Sequence, residues 1–117
     1  MLAIVDEGGG LAMKEADVLT QLEQRLKELG SDCVFVKVHG SPFQSAALDI
    51  IGSYRGQAFT VEVKRPGGRL TPRQSAILVK WARSGAVADV VDSAESADEF
   101  IDLLRRIGDG RMKQHAG

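Results

Sequence analysis

Two strand-like runs, Ala47 to Ser53 and Gln57 to Lys64, flank a turn near Arg55-Gly56. A two-residue hairpin loop admits only one antiparallel register, and that register decides which side chains share a face. If Arg55-Gly56 is that loop, the numbers of paired residues add to 111, which sets Asp49 directly opposite Glu62. Their Cβ atoms would then lie about 4.5–5.5 Å apart on one face. Period-two alternation adds Lys64 to that face and turns Phe59, Val61 and Val63 towards a core on the other. A bulge or a longer turn would shift the pairing by one residue. Opposed like charges weaken a sheet, so the arrangement needs an offsetting charge. A hard divalent cation held by carboxylate oxygens would supply it.

The remaining elements follow from periodicity and punctuation. Lys14 to Leu29 carries Val18, Leu19, Leu22, Leu26 and Leu29 as one helical stripe, ended by Gly30. Cys33 to Val38 reads as a short strand, and His39 to Ala46 as a loop. Arg65-Pro66-Gly67-Gly68-Arg69 is a second loop. Thr71-Pro72 opens a helix that runs to about Arg83 and is closed by Gly85. Ala86 to Val91 is a last strand and Ala94 to Ile107 a last helix. The order α-β-β-β-α-β-α predicts an α/β fold with a mixed central sheet, an antiparallel meander joined to a parallel crossover. One domain is expected over residues 13–108, between a Gly-rich, acidic leader (1–12) and a polar, flexible tail (109–117).

Charge is distributed unevenly. Residues 37–83 hold eight basic and two acidic side chains, whereas 1–36 hold three and seven, and 84–117 four and seven. A basic middle segment enclosing two isolated carboxylates suits a polyanion, of which nucleic acid is the common one. No apolar run approaches the roughly 18 residues of a membrane span. The acidic leader lacks the order of a signal peptide. A lone Cys33 within an apolar run fits a reduced thiol in the cytoplasm.

Two further polar residues stand out. On a helical wheel Glu15 falls in line with Leu19, Leu22 and Leu26, where a carboxylate needs a partner or a metal. Its other reading is an acid in a helix's first turn, favoured by the dipole. Gln74 has the T-x-x-Q spacing of a capping box with Thr71. It also aligns with Ile77, Leu78 and Trp81 on the inward side, near the sheet end that carries Lys64. Spacing does not separate the two roles.

Leu48-Asp49-Ile50-Ile51-Gly52, Val61-Glu62-Val63-Lys64 and Leu70-Thr71-Pro72-Arg73-Gln74 together resemble the PD-(D/E)xK nuclease superfamily. Within it the likeness is greatest to the VRR-NUC (virus-type replication-repair nuclease) domain of phage and bacterial stand-alone proteins. An E-x-K tripeptide is weak evidence, but the ordered set spans most of the chain, from Lys14 to Ser93. The resemblance implies an αβββαβ restriction-endonuclease-like core. Asp49 and Glu62 would be metal-binding acids, with the Val63 carbonyl as a further ligand. Lys64 would be the catalytic lysine, Gln74 the family's glutamine and Glu15 the acid of the first helix. Where the family usually has proline before the aspartate, this chain has Leu48.

The expected activity is Mg²⁺- or Mn²⁺-dependent hydrolysis of DNA. Lys37, His39, Arg65, Arg69 and Arg73 would contact the phosphate backbone. For those basic residues the plainer reading is a solvated loop. The resemblance further implies a homodimer acting on branched DNA. Competing expectations are a Holliday-junction resolvase of the same superfamily, a catalytically silent nucleic-acid-binding module, and a structural domain whose acids are surface charges.

Overall fold

The computed structural model describes residues 13–38 and 48–116. Helix α1 (Glu15–Glu28) leads through a 3-10 turn (Gly30–Asp32) into β1 (Cys33–Lys37). Strands β2 (Ile50–Tyr54) and β3 (Gln57–Val63) follow, then α2 (Pro72–Arg83), β4 (Val87–Val91) and α3 (Ala94–Ala116). The sheet order is β1-β2-β3-β4, with β1–β2 and β2–β3 antiparallel and β3–β4 parallel across α2. This is the expected α/β architecture with a mixed sheet.

The hairpin register is the one its turn dictates. Tyr54 pairs with Gln57 and Ile50 with Val61. Arg55 and Gly56 have φ of 50° and 83°, the two positive values of a type I′ turn. A side chain at positive φ is unfavourable, and Arg55 is held there by two carboxylates. It bonds Asp32 and Asp109, each at 3.0 Å, and its guanidinium lies 5.5 Å from the Tyr54 ring centroid.

One face of the sheet is the core. Ile50, Phe59, Val61 and Val63 meet Val18, Leu22 and Leu26 of α1 and Ala97, Phe100, Ile101 and Leu104 of α3. Each large side chain so buried contributes about 1.5–3 kcal/mol. Phe59 and Phe100 meet edge to face at 5.7 Å. Phe59 lies over Gly52, where an added Cβ would stand 2.5 Å from the ring tip and 2.4 Å from the Val34 carbonyl. The opposite face carries Thr60, Glu62 and Lys64 under α2, as alternation along β3 requires. On that side of edge strand β1, Val34 and Val36 are exposed.

The start of the second strand and the end of the last helix differ from expectation. β2 begins at Ile50 rather than Ala47, and Ala47 is outside the described residues. The leader likewise lies outside them. The last helix does not end at Ile107 but continues to Ala116. Gly108 permits close approach within the helix: a Cβ there would meet Tyr54 Cδ2 at 2.4 Å. The Tyr54 hydroxyl donates to Asp109 at 2.9 Å, so the hairpin anchors the extra turns. These contacts offset the cost of glycine within a helix, about 1 kcal/mol.

Candidate active site

The end of β3, the residue preceding β2 and the first turn of α2 converge at one end of the sheet. Asp49 lies just beyond the ladder, one step past the Ile50–Val61 pair, and so faces Glu62 as the register requires. Its backbone carbonyl accepts from the Val38 amide at 2.8 Å, and its Oδ2 accepts from the Val63 amide at 2.7 Å. The aspartate is thereby fixed from β1 through its main chain and from β3 through its side chain. The Val63 amide is a positioning group that the sequence did not disclose, because a backbone donor has no side-chain signature.

Glu62 is the centre of the constellation. It is only 3% exposed, although it carries a carboxyl group. Its Oε1 accepts from Gln74 Nε2 at 3.1 Å and lies 4.0 Å from Lys64 Nζ. Its Oε2 is buried and has no hydrogen-bond partner among the described residues. Burial, first, and then the charge of Asp49 push the Glu62 pKa up to about 8. The nearby charge of Glu15 adds a little, while Lys64 opposes the shift. An unpartnered oxygen between two acids is costly unless a proton or a cation fills the gap.

Gln74 takes both of the roles open to it. Its Oε1 accepts from the Thr71 amide at 2.9 Å, and its amide donates to Thr71 Oγ1 at 3.1 Å, closing the capping box. The side-chain amide is left to donate to Glu62. One residue therefore starts α2 and ties that helix to the acid.

The other expected site residues are placed less uniformly. Glu15 is exposed at the first position of α1, not on the buried line formed by Val18, Leu22 and Leu26. The wheel gave its angle, but in the first turn of α1 no described residue covers it. It remains near enough for its charge to raise Glu62. Lys37 pairs with Ile50 and so sits on the core side, its Nζ 3.6 Å from Glu23 of α1. It is thus on the face opposite the acids. Arg65, Arg69 and Arg73 are exposed on the loop after Lys64 and the first turn of α2, beside the site. His39 lies outside the described residues. Among the described residues no group of three or more His, Cys, Asp or Glu side chains is assembled for a metal.

No family model matches the chain, and no curated protein does. Among solved structures, a VRR_NUC domain matches at 26% identity with a TM-score of 0.65, over 78% of this chain and 97% of that one. No helix among the described residues is long and apolar enough to cross a membrane. By its motifs, its strand order and this match, the chain is similar to the VRR-NUC domain of the PD-(D/E)xK nuclease superfamily and has a nuclease-type fold.

Proposed function

We propose that this domain is a Mg²⁺- or Mn²⁺-dependent deoxyribonuclease that cuts DNA by structure, in replication, repair or recombination. The observation that carries the reading is the buried Glu62 with its unpartnered Oε2 beside Asp49. Two facing carboxylates and a backbone carbonyl form an all-oxygen donor set suited to a hard divalent cation. Magnesium keeps several of its waters and binds through one or two carboxylates, so Asp49, Glu62 and the Val63 carbonyl suffice without a third acid. Glu15 would act through water at the rim.

A bound ion of this kind would polarise the scissile phosphate and acidify a water. The chain's own groups do the rest. Lys64 opposes the charge that grows on the phosphate oxygens and orients the attacking water, as preorganised electrostatics require. Gln74 holds the Glu62 carboxylate in place from α2, and the Val63 amide does the same for Asp49. Arg65, Arg69 and Arg73 contact backbone phosphates and fix the strand's register without reading its sequence.

A homodimer belongs to the same reading. It is supported by edge strand β1, where, among the described residues, Val34 is 67% and Val36 59% exposed. The test of function is divalent-dependent cleavage across linear, flapped, forked and four-way DNA. Preference for four-way junctions would assign a Holliday-junction resolvase. DNA binding without cleavage under Mn²⁺ would assign a silent binding module.

A further inference from the structure

Trp81, at the opposite end of α2 from Gln74, stands between two hollows. One, of about 220 Å³, is lined by Lys80, Trp81 and Ser84. The other, of about 300 Å³, lies between the β2–β3 turn, the end of α2 and the last turns of α3. Ala58, Trp81, Ser84 and Arg111 are among its walls. Trp81 is half-buried, whereas Lys80 and Arg111 are exposed. The Arg111 guanidinium reaches over the turn, 3.7 Å from where a Cβ on Gly56 would stand. Among the described residues no carboxylate lines either hollow. The ion pairs among the described residues involve neither Lys80 nor Arg111.

An aromatic face with uncommitted cations beside it suits a planar, anionic ligand. Its position relative to the acids is set by two elements. Trp81 follows Gln74 by seven residues, which is the same side of α2 about 10 Å further along. Ala58 precedes Glu62 by four residues on β3, which is the same face about 13 Å back. Trp81 and Ala58 therefore lie on the acids' side of the sheet, and Arg111 reaches the cleft from α3 around the sheet's end. At about 3.4 Å per stacked nucleotide, three or four steps of one strand connect the cleft and the acids.

We propose that the Trp81–Arg111 cleft seats an unpaired base of the bound DNA strand, with Arg111 and Lys80 on its phosphate, a few nucleotides from the bond that faces Asp49 and Glu62. The proposal rests on the nuclease reading and names its substrate class: DNA with a single-stranded segment beside the cleavage point. A base inside a duplex has both faces covered by its neighbours, so only an unpaired or extruded base can lie against the indole. Stacking on an indole tolerates any base, so the cleft selects strand structure rather than sequence.

Trp81 is the chain's only tryptophan, so its emission reports on this cleft. The protein in EDTA is titrated with an oligothymidylate of about ten nucleotides, a length within the usual range of single-strand sites. The anisotropy of a labelled copy follows binding in parallel. The expected result is saturable quenching that tracks the anisotropy, is lost with a blunt duplex, and needs far more thymidine monophosphate than oligonucleotide. Arg111→Gln, an exposed change that leaves the core untouched, weakens oligonucleotide binding by about fivefold or more. Absence of binding, binding without a change in emission, or unchanged affinity in Arg111→Gln overturns the proposal. So does a mononucleotide that binds as tightly as the strand, which would make the cleft a small-ligand pocket. EDTA keeps the outcome separate from cleavage. Glu62→Ala should still show quenching, whereas a protein that quenches but never cuts any DNA would sink the nuclease reading and leave the cleft standing.

Discussion

The Glu62 carboxyl has a consequence for stability that can be measured without DNA. Its pKa rises from an ordinary 4.5 to about 8 in the folded, metal-free protein. Between those values the folded state holds a proton that the unfolded state has released, so stability falls as pH rises. The contribution is fully present below about pH 4.5 and is lost by about pH 8. Thermal melts in EDTA should show Tm declining across that window, and Glu62→Gln should flatten the slope. An equally steep decline in Glu62→Gln would show that another group is responsible. Because bound Mg²⁺ stabilises only the folded form, it should raise Tm most at the alkaline end. Lys64 is tested by rate: Lys64→Ala should lower cleavage about 10²–10³-fold and leave DNA binding nearly intact. Cleavage at the wild-type rate would remove Lys64 from the chemistry.

Elements carry the site because each is short and fixed at both ends. The hairpin sets Asp49 against Glu62 only while β2 and β3 keep their register, and Gly52 is where that register is most crowded. Gly52→Ala drives a methyl group into the Phe59 ring and the Val34 carbonyl, so it should cost about 1–3 kcal/mol, or roughly 5–15 °C in Tm. An unchanged Tm on calorimetry would mean that β1 and Phe59 move aside freely. The same hairpin shows what a sequence discloses. Arg55-Gly56 fixed the register, and with it the meeting of Asp49, Glu62 and Lys64, because a type I′ turn leaves no slack. The capping spacing of Thr71 and Gln74 was legible too, but not that one side chain serves cap and acid together. Glu15 and Lys37 were legible only in part, because periodicity gives the angle around an element, not what lies opposite. The length of α3 was hidden because the residues after Ile107 are polar, and only contacts with Tyr54, distant in sequence, hold Gly108 and Asp109 in the helix.

At the scale of the molecule, the sheet divides the labour between its faces. One face, under α1 and α3, holds the core; the other, partly roofed by α2, holds the acids, the arginines beside them and the open side of β1. The exposed Val34 and Val36 predict self-association through that open side. Light scattering at micromolar concentration should report a dimer that Val36→Lys dissociates, whereas a monomeric wild type would remove the dimer from the account. The central claim concerns the acids, and metal-dependent cleavage tests it most directly. Wild type, Glu62→Ala and Lys64→Ala are each incubated with linear, flapped, forked and four-way DNA, in Mg²⁺, in Mn²⁺ and in EDTA. The account predicts cutting by wild type with either cation, none in EDTA, loss in Glu62→Ala and a rate at least about 100-fold lower in Lys64→Ala. Cutting in EDTA, wild-type rates in either variant, or no cutting of any substrate would contradict it.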